Sequence, residues 1–181
     1  LLLAGLLAGC GGGSRPTGIR AAETPADDVA EYQPRWRSHT VDSTQYRKVF
    51  LAGTIDMGRS ADWQAALVAR FRDSIGGRWL FFNPRRREFH ASPAEMEYQV
   101  AWELAHLEAA DLIVMNLLGD SRSPISLLEM GLYARSGKLF VACSPDYYRY
   151  DNVRITCRRY GVPLYDSLTA LLDDLPQQSD E

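Results

Sequence analysis

The 181-residue sequence has no excess of charge, with 20 Lys and Arg against 23 Asp and Glu for a net −3. A nucleic-acid binder needs a basic excess to meet the phosphates, so no nucleic-acid partner is expected. Cysteine is scarce. Three cysteines cannot staple a chain of this length, which excludes a disulfide framework and leaves the fold to its core. His39, His90 and His106 are scattered, and no Cys/His pair has ligand spacing, so no metal is expected. The glycine-containing segment 53–59 is neither a dinucleotide fingerprint nor a P-loop, and no serine sits in a nucleophile elbow. No cofactor is therefore expected. The apolar run at residues 1–10 is shorter than the roughly 20 residues a membrane-spanning helix needs.

What is present is an ordinary globular composition, 46% apolar and 24% charged, enough for one domain with a proper core. The exception is the start, LLLAGLLAGC, which has no polar group before the cysteine. It reads as the end of a signal-peptide apolar region. Leu7-Ala8-Gly9-Cys10 resembles the bacterial lipobox, in which the cysteine is diacylated and becomes the mature N-terminus. The alternative, a core element that happens to end in cysteine, leads straight into Gly11-Gly12-Gly13-Ser14, where no core element continues. Two acyl chains make a stable anchor where one is marginal. Gly11 stands where an Asp would resemble an inner-membrane retention signal, which points to the outer membrane, facing the periplasm. Residues 1–9 are thus expected to be a truncated lipoprotein signal peptide and 10–46 a lipidated flexible tether, punctuated by Pro16, Pro25 and Pro34. Tyr32 and Trp36 are the tether residues suited to dock on the folded part. Residues 47–176 carry the fold, and 177–181 are a tail.

Within 47–176, apolar runs alternate with helical patterns. Buried strands are expected at 48–52, 79–82, 111–117 and 139–142, with a short edge strand at 162–164. Trp63, Leu67, Phe71 and Ile75 mark a helix that begins near Ser60 and ends at Gly76-Gly77. Ser92 caps a helix with Pro93 at its first position, running to about Ala110, with Met96, Val100, Leu104 and Leu107 as its candidate core face. Pro124 opens a helix that ends before Gly137, a polar helix covers 153–160, and Ser167 caps the last through Leu175. This alternation predicts an α/β fold: a doubly wound, five-stranded parallel sheet of flavodoxin-like order, in a single domain behind its tether. Ligands in such folds sit at the C-terminal strand ends, which singles out the loops 53–59, 83–92, 118–126 and 144–152.

Two glutamates stand out. Glu129 follows Ser123-Pro124 at a strand-to-helix junction. With Ser123 as N-cap, the helix dipole would keep its carboxylate ionised, as a glycosidic nucleophile requires. The competing reading is that Ser126 and Glu129, at capping-box spacing, simply cap their own helix. Glu103 lies one turn from Gln99 on a face shared with His106, and matters only if it reaches the same crevice as Glu129. The glycines of 53–59 permit close approach of backbone to a ligand, and Arg85-Arg86-Arg87 offers a grip for phosphate or carboxylate. Cys143 and Cys157 are either a disulfide of an oxidising compartment or plain core residues.

These segments resemble the nucleoside 2-deoxyribosyltransferase-like proteins in order across roughly 47–165: Phe50 to Ile55, Asn83 to Arg86, Trp102-Glu103, Ala110-Asp111, Ser123 to Gly131, and Asn152-Val153. The resemblance implies a flavodoxin-like fold and action on the N-glycosidic bond of nucleosides, deoxynucleosides or their 5′-phosphates, by hydrolysis or transfer. It makes Glu129 the nucleophile on the anomeric carbon, through a covalent glycosyl-enzyme intermediate. Glu103 becomes the catalytic acid, where the family usually carries Asp. It assigns Gly53, Thr54, Asp56, Ser123 and Asn152 to substrate binding, and Asn152 further implies a homo-oligomer. Asp56 stands where nucleotide hydrolases carry a phosphate-contacting Arg, and Phe50 where transferases carry a Tyr that orients the nucleophile. The alternatives are attack on the nicotinamide–ribose bond of NAD, and a lipid-anchored binding module or envelope interaction protein without turnover.

Overall fold

In the computed structural model, residues 28–75, 77–86, 88 and 92–175 are described. The expected signal peptide, Cys10, the first half of the tether, Gly76, Arg87, His90 and the tail lie outside them. Twelve elements follow in order: β1 (Val29–Gln33), β2 (Trp36–Arg37), β3 (Arg47–Gly53), α1 (Trp63–Ser74), β4 (Trp79–Phe82), α2 (Pro93–Ala109), β5 (Leu112–Leu117), α3 (Pro124–Tyr133), β6 (Leu139–Cys143), α4 (Tyr150–Tyr160), β7 (Leu164–Tyr165) and α5 (Leu168–Asp174). They form one seven-stranded sheet of order β2-β1-β4-β3-β5-β6-β7. Every pairing is parallel except β1 with β2.

The five strands read from the sequence occupy β4-β3-β5-β6-β7, which is the flavodoxin-like order. Two further strands extend that sheet, and both fall in the stretch expected to be tether. β1 pairs with β4, and Asn83 at the end of β4 holds it twice: its backbone N–H donates to Tyr32 O (2.8 Å) and its side-chain amide to Glu31 Oε1 (2.7 Å). Glu31 and Gln33 alternate with Ala30 and Tyr32, so the strand presents a polar edge that composition alone reads as linker.

Side chains of β3 alternate between two cores. Val49 and Leu51 pack with Leu67 and Phe71 of α1 and Leu171 and Leu172 of α5. Phe50 and Ala52 pack with Leu107 of α2, Met130 of α3, and Val153 and Cys157 of α4. Helices on both faces leave the C-terminal strand ends as the open edge. The caps follow the sequence at Ser92, which accepts from Glu95 N–H (3.1 Å), and Ser167, which accepts from Ala170 N–H (3.2 Å). Asp62 rather than Ser60 caps α1, accepting from Ala65 N–H at 3.0 Å. Cys143 and Cys157 are buried free thiols, which burial pushes up to about 12 and about 11. No disulfide joins them.

The expected core face of α2 is overturned. Met96, Val100 and Leu104 are 51%, 44% and 42% exposed, and only Leu107 of that set is buried. The helix is rotated so that Glu95, Gln99 and Glu103 line up along its inner side, with Trp102 and His106 stacked beside them. The inner face of α2 is a cleft wall rather than core, and hydropathy does not report that.

Candidate active site

A cleft of about 410 Å³ opens at the C-terminal ends of β3 and β5, walled by α2 and the first turns of α3. Gly53, Asp56, Glu103, Ser123 and Glu129 all line it. It runs on past Pro84, Met96 and Gln99 into a second recess of about 600 Å³.

Glu129 sits mid-way along α3 and is 9% exposed. Burial, with the Glu103 charge as a smaller cause, pushes its carboxyl up to about 8. The expectation that the helix N-terminus keeps it ionised is therefore reversed, because loss of water outweighs a partial dipole more than a turn away. The capping-box reading falls as well. Ser126 lies inside the first turn of α3, and the N-cap position is Ser123. Ser123 makes no side-chain capping bond. Its backbone is left-handed (φ 41°, ψ 53°), which turns its hydroxyl away from the helix.

Glu103 is held by a chain of polar groups. Gln99 Nε2 donates to Glu103 Oε1 (2.6 Å) and to Pro84 O (3.1 Å). Gln99 Oε1 accepts from Arg86 Nε, and Arg86 in turn pairs with Glu95 at 2.6 Å. Burial raises the Glu103 carboxyl as well, opposed by the Gln99 hydrogen bond and the Arg86 charge. Burial thus raises both carboxyls, and the Glu103 charge adds to the shift of Glu129.

The serine and threonine hydroxyls form a directed chain. Ser121 Oγ donates to Asp56 Oδ1 (2.9 Å) and so spends its only proton there. Ser123 must then donate to Ser121 (2.8 Å), and Thr54 to Ser123 (2.7 Å). Thr54 Oγ1 also accepts from Leu118 N–H at 3.1 Å. Thr54 is fully buried, so its assignment to substrate contact is corrected: it positions Ser123 instead. Gly53 lines the cleft, but its glycine requirement comes from the sheet. At φ +126°, a Cβ would stand 2.2 Å from Asn116 O of β5.

Two other expectations change, for Arg85 and Arg86. Arg85 is buried, with its guanidinium donating to Ser60 O, Ala61 O and Gln64 Oε1, so it braces the loop before α1. Arg86 is bonded to Glu95 and Gln99, so both described arginines of the triplet, which line the second recess, already have partners within the protein. Asn152 lies apart from its own chain's cleft, in a separate groove between α3 and α4 with Leu127, Met130 and Tyr148, a placement compatible with the expected service to a neighbouring copy. Phe50 is fully buried against Trp102, with ring centroids 6.3 Å apart, and presents no hydroxyl to Glu129. Sequence reasoning missed Ser121 and the Glu95–Arg86–Gln99 relay. The relay had a signal in the Glu95, Gln99, Glu103 spacing of i, i+4, i+8. Among the described residues, no group of three or more His, Cys, Asp or Glu could hold a metal ion.

The model of one family, nucleoside 2-deoxyribosyltransferase like, matches residues 46–147, more than half of the chain and all of the cleft described above. The chain belongs to the nucleoside 2-deoxyribosyltransferase-like family. Membership supports a function of the glycosyl transferase or hydrolase kind and a small-molecule nucleoside partner. The family match begins after β1 and β2, and ends before Asn152. A solved structure described as a conserved protein from Enterococcus faecalis V583 shares the fold. It has a TM-score of 0.53 at 15% identity, covering 74% of this chain and 99% of that one. No curated protein matches the chain.

Proposed function

We propose that the protein cleaves the N-glycosidic bond of nucleosides or deoxynucleosides by double displacement, with Glu129 as nucleophile and Glu103 as acid and base. The observation that carries this reading is that two burial-raised carboxyls line one cleft of nucleoside size. In the first step a Glu129 carboxylate oxygen bonds to the anomeric carbon as its bond to the base nitrogen breaks. The electron pair leaves with the base, and Glu103 supplies the proton. Water or a second base then attacks the same carbon, its proton passes to Glu103, and the ester bond to Glu129 breaks.

Asp56 and the hydroxyl chain behind it suit sugar hydroxyls. A carboxylate at this point in the cleft repels a 5′-phosphate unless Arg59, which lines the same cleft, offsets it; with Arg85 and Arg86 already engaged, the reading favours nucleosides over nucleotides. The same reading includes lipid attachment at Cys10 and a periplasm-facing position on the outer membrane, supported by Leu7-Ala8-Gly9-Cys10 and the glycine run after it. It also includes a homo-oligomer in which Asn152 serves a neighbouring copy.

A second reading, nucleoside binding without turnover, is favoured by one observation: a carboxyl raised to about 8 is largely protonated at neutral pH and is then no nucleophile. Incubating the protein with a panel of nucleosides and with NAD, and following base release by chromatography, separates the two readings. Intact-mass spectrometry after a nucleoside soak is expected to show a glycosyl adduct that Glu129→Ala abolishes. Wild-type base release by Glu129→Ala sinks the assignment. Ligand-dependent thermal stabilisation without release or adduct establishes the binding module, and NAD cleavage without nucleoside cleavage establishes the glycohydrolase.

A further inference from the structure

On the far side of α2 from the catalytic cleft lies a separate cup of about 430 Å³, built by the β1–β2 hairpin against the helix. One wall is Tyr98, Trp102 and His106 of α2, and Trp36 of β2 stands on the hairpin side. Trp102 and His106 stack on each other with centroids 3.9 Å apart and ring planes 23° apart, each covering a face of the other. None of Asp56, Ser123 or Glu129 touches this cup.

Some of its polar groups are unspent. Gln33 gives its amide N–H to Glu31 Oε1 (3.0 Å), which fixes the amide orientation and leaves Gln33 Oε1 buried with no partner. His106 Nδ1 lies 2.7 Å from Trp102 O and must carry the proton there, so Nε2 keeps its lone pair. Burial, opposed by the hydrogen bond to Trp102 O and helped by the positive charge of Arg37, lowers the imidazole from its ordinary value. Arg35 is occupied by Glu95 at 2.7 Å and lies over the Tyr98 ring. Arg37 rests over the Tyr32 ring at 4.7 Å and donates no hydrogen bond among the described residues. The cup therefore offers an aromatic wall, two acceptors waiting for N–H groups, and one uncompensated cation.

We propose that this cup is a second small-molecule site that takes a planar heteroaromatic anion. The ring packs among the aromatic side chains that line the cup, its N–H groups donate to Gln33 Oε1 and His106 Nε2, and its carboxylate or phosphate meets Arg37. The volume falls within the usual range of small-molecule pockets. Residues 33–37 precede the family match at 46, so this half of the cup is not part of the shared family region. Trp102 also packs on Phe50 beneath the catalytic cleft, and Glu103 follows it directly, so α2 joins the two sites.

The test titrates the full chain with orotate and with adenosine 5′-monophosphate, followed by tryptophan fluorescence and calorimetry; adenosine and inorganic phosphate are the control arms. Orotate, the monophosphate or both are expected to bind saturably, and whichever binds names the anion. Affinity is expected to fall at least about tenfold in Arg37→Glu and in Trp36→Ala, and to stay unchanged in Glu129→Gln. Adenosine, which the catalytic cleft is proposed to take, and phosphate, each lacking half of the ligand, are expected to show no binding that Arg37→Glu weakens. Failure of both anions to saturate overturns the proposal, as does unchanged affinity in Arg37→Glu. Loss of binding in Glu129→Gln overturns it too, because the ligand then sits in the catalytic cleft. Base release is read in a separate assay, so failure of the glycosidic reading leaves this result interpretable.

Discussion

Replacing Glu129 by Gln should stabilise the protein at neutral pH and do so less in acid. The wild-type carboxyl is pushed up to about 8 in the folded state, chiefly by burial, against an ordinary value of 4.5. Below 4.5 the side chain is protonated in both the folded and unfolded states. Between 4.5 and 8 the unfolded carboxyl ionises while the folded one keeps its proton, so the wild type loses stability as pH rises through that window. Working from those two values, the loss between about pH 5 and pH 7 is about 2–3 kcal/mol. Gln has nearly the same shape and does not titrate. The variant's advantage in melting temperature should therefore grow by roughly 5–10 °C between the same two pH values. Calorimetric or circular-dichroism melts of both proteins across that range measure it, with every other titrating group common to the pair. A melting-temperature difference that stays flat with pH refutes the reasoning, because it means the folded carboxyl ionises as it does in water.

Three further outcomes follow from the same geometry. Base release should rise with pH toward about 8 as Glu129 ionises. Glu103→Gln should move that rise to lower pH while lowering the rate about 10²–10⁴-fold, and an unmoved rise in the pH–rate profile would show that the two carboxyls do not share a charge field. Thr54→Val leaves the Leu118 N–H unpaired and takes away the donor that orients Ser123, at a cost of about 1–3 kcal/mol in urea denaturation. Gly53→Ala sets a methyl group 2.2 Å from Asn116 O at φ +126°, which should cost more than about 4 kcal/mol or leave the protein insoluble; wild-type melting would refute the close approach of β3 and β5.

The readable parts of the fold were those whose signal is local. Val49 to Ala52, Trp79 to Phe82 and Leu112 to Leu117 are apolar runs that belong in a buried parallel sheet wherever they occur. Ser92-Pro93 and Ser167 announce helix starts through bonds spanning three residues. β1 was missed because its strand character comes from its partner: Asn83 and the edge of β4 make a strand of Val29–Gln33, and nothing within five mixed residues says so. The α2 register was misread because Met96 and Val100 line an open cleft beside Gln99 and Glu103 instead of packing into the core.

The sequence alone determined the strand and helix order, the doubly wound class and the two glutamates worth testing, because periodicity, capping and motif spacing are properties of neighbours along the chain. Only the tertiary structure decided the rest: that both glutamates line one cleft, that Arg85 and Arg86 are spent inside the protein, that Thr54 stands behind Ser123, and that Glu129 holds its proton up to about 8. The reason is physical. Burial, and the like charge of a residue 26 positions away in sequence, set the ionisation of Glu129, and both exist only once α2 and α3 close on the same strand ends.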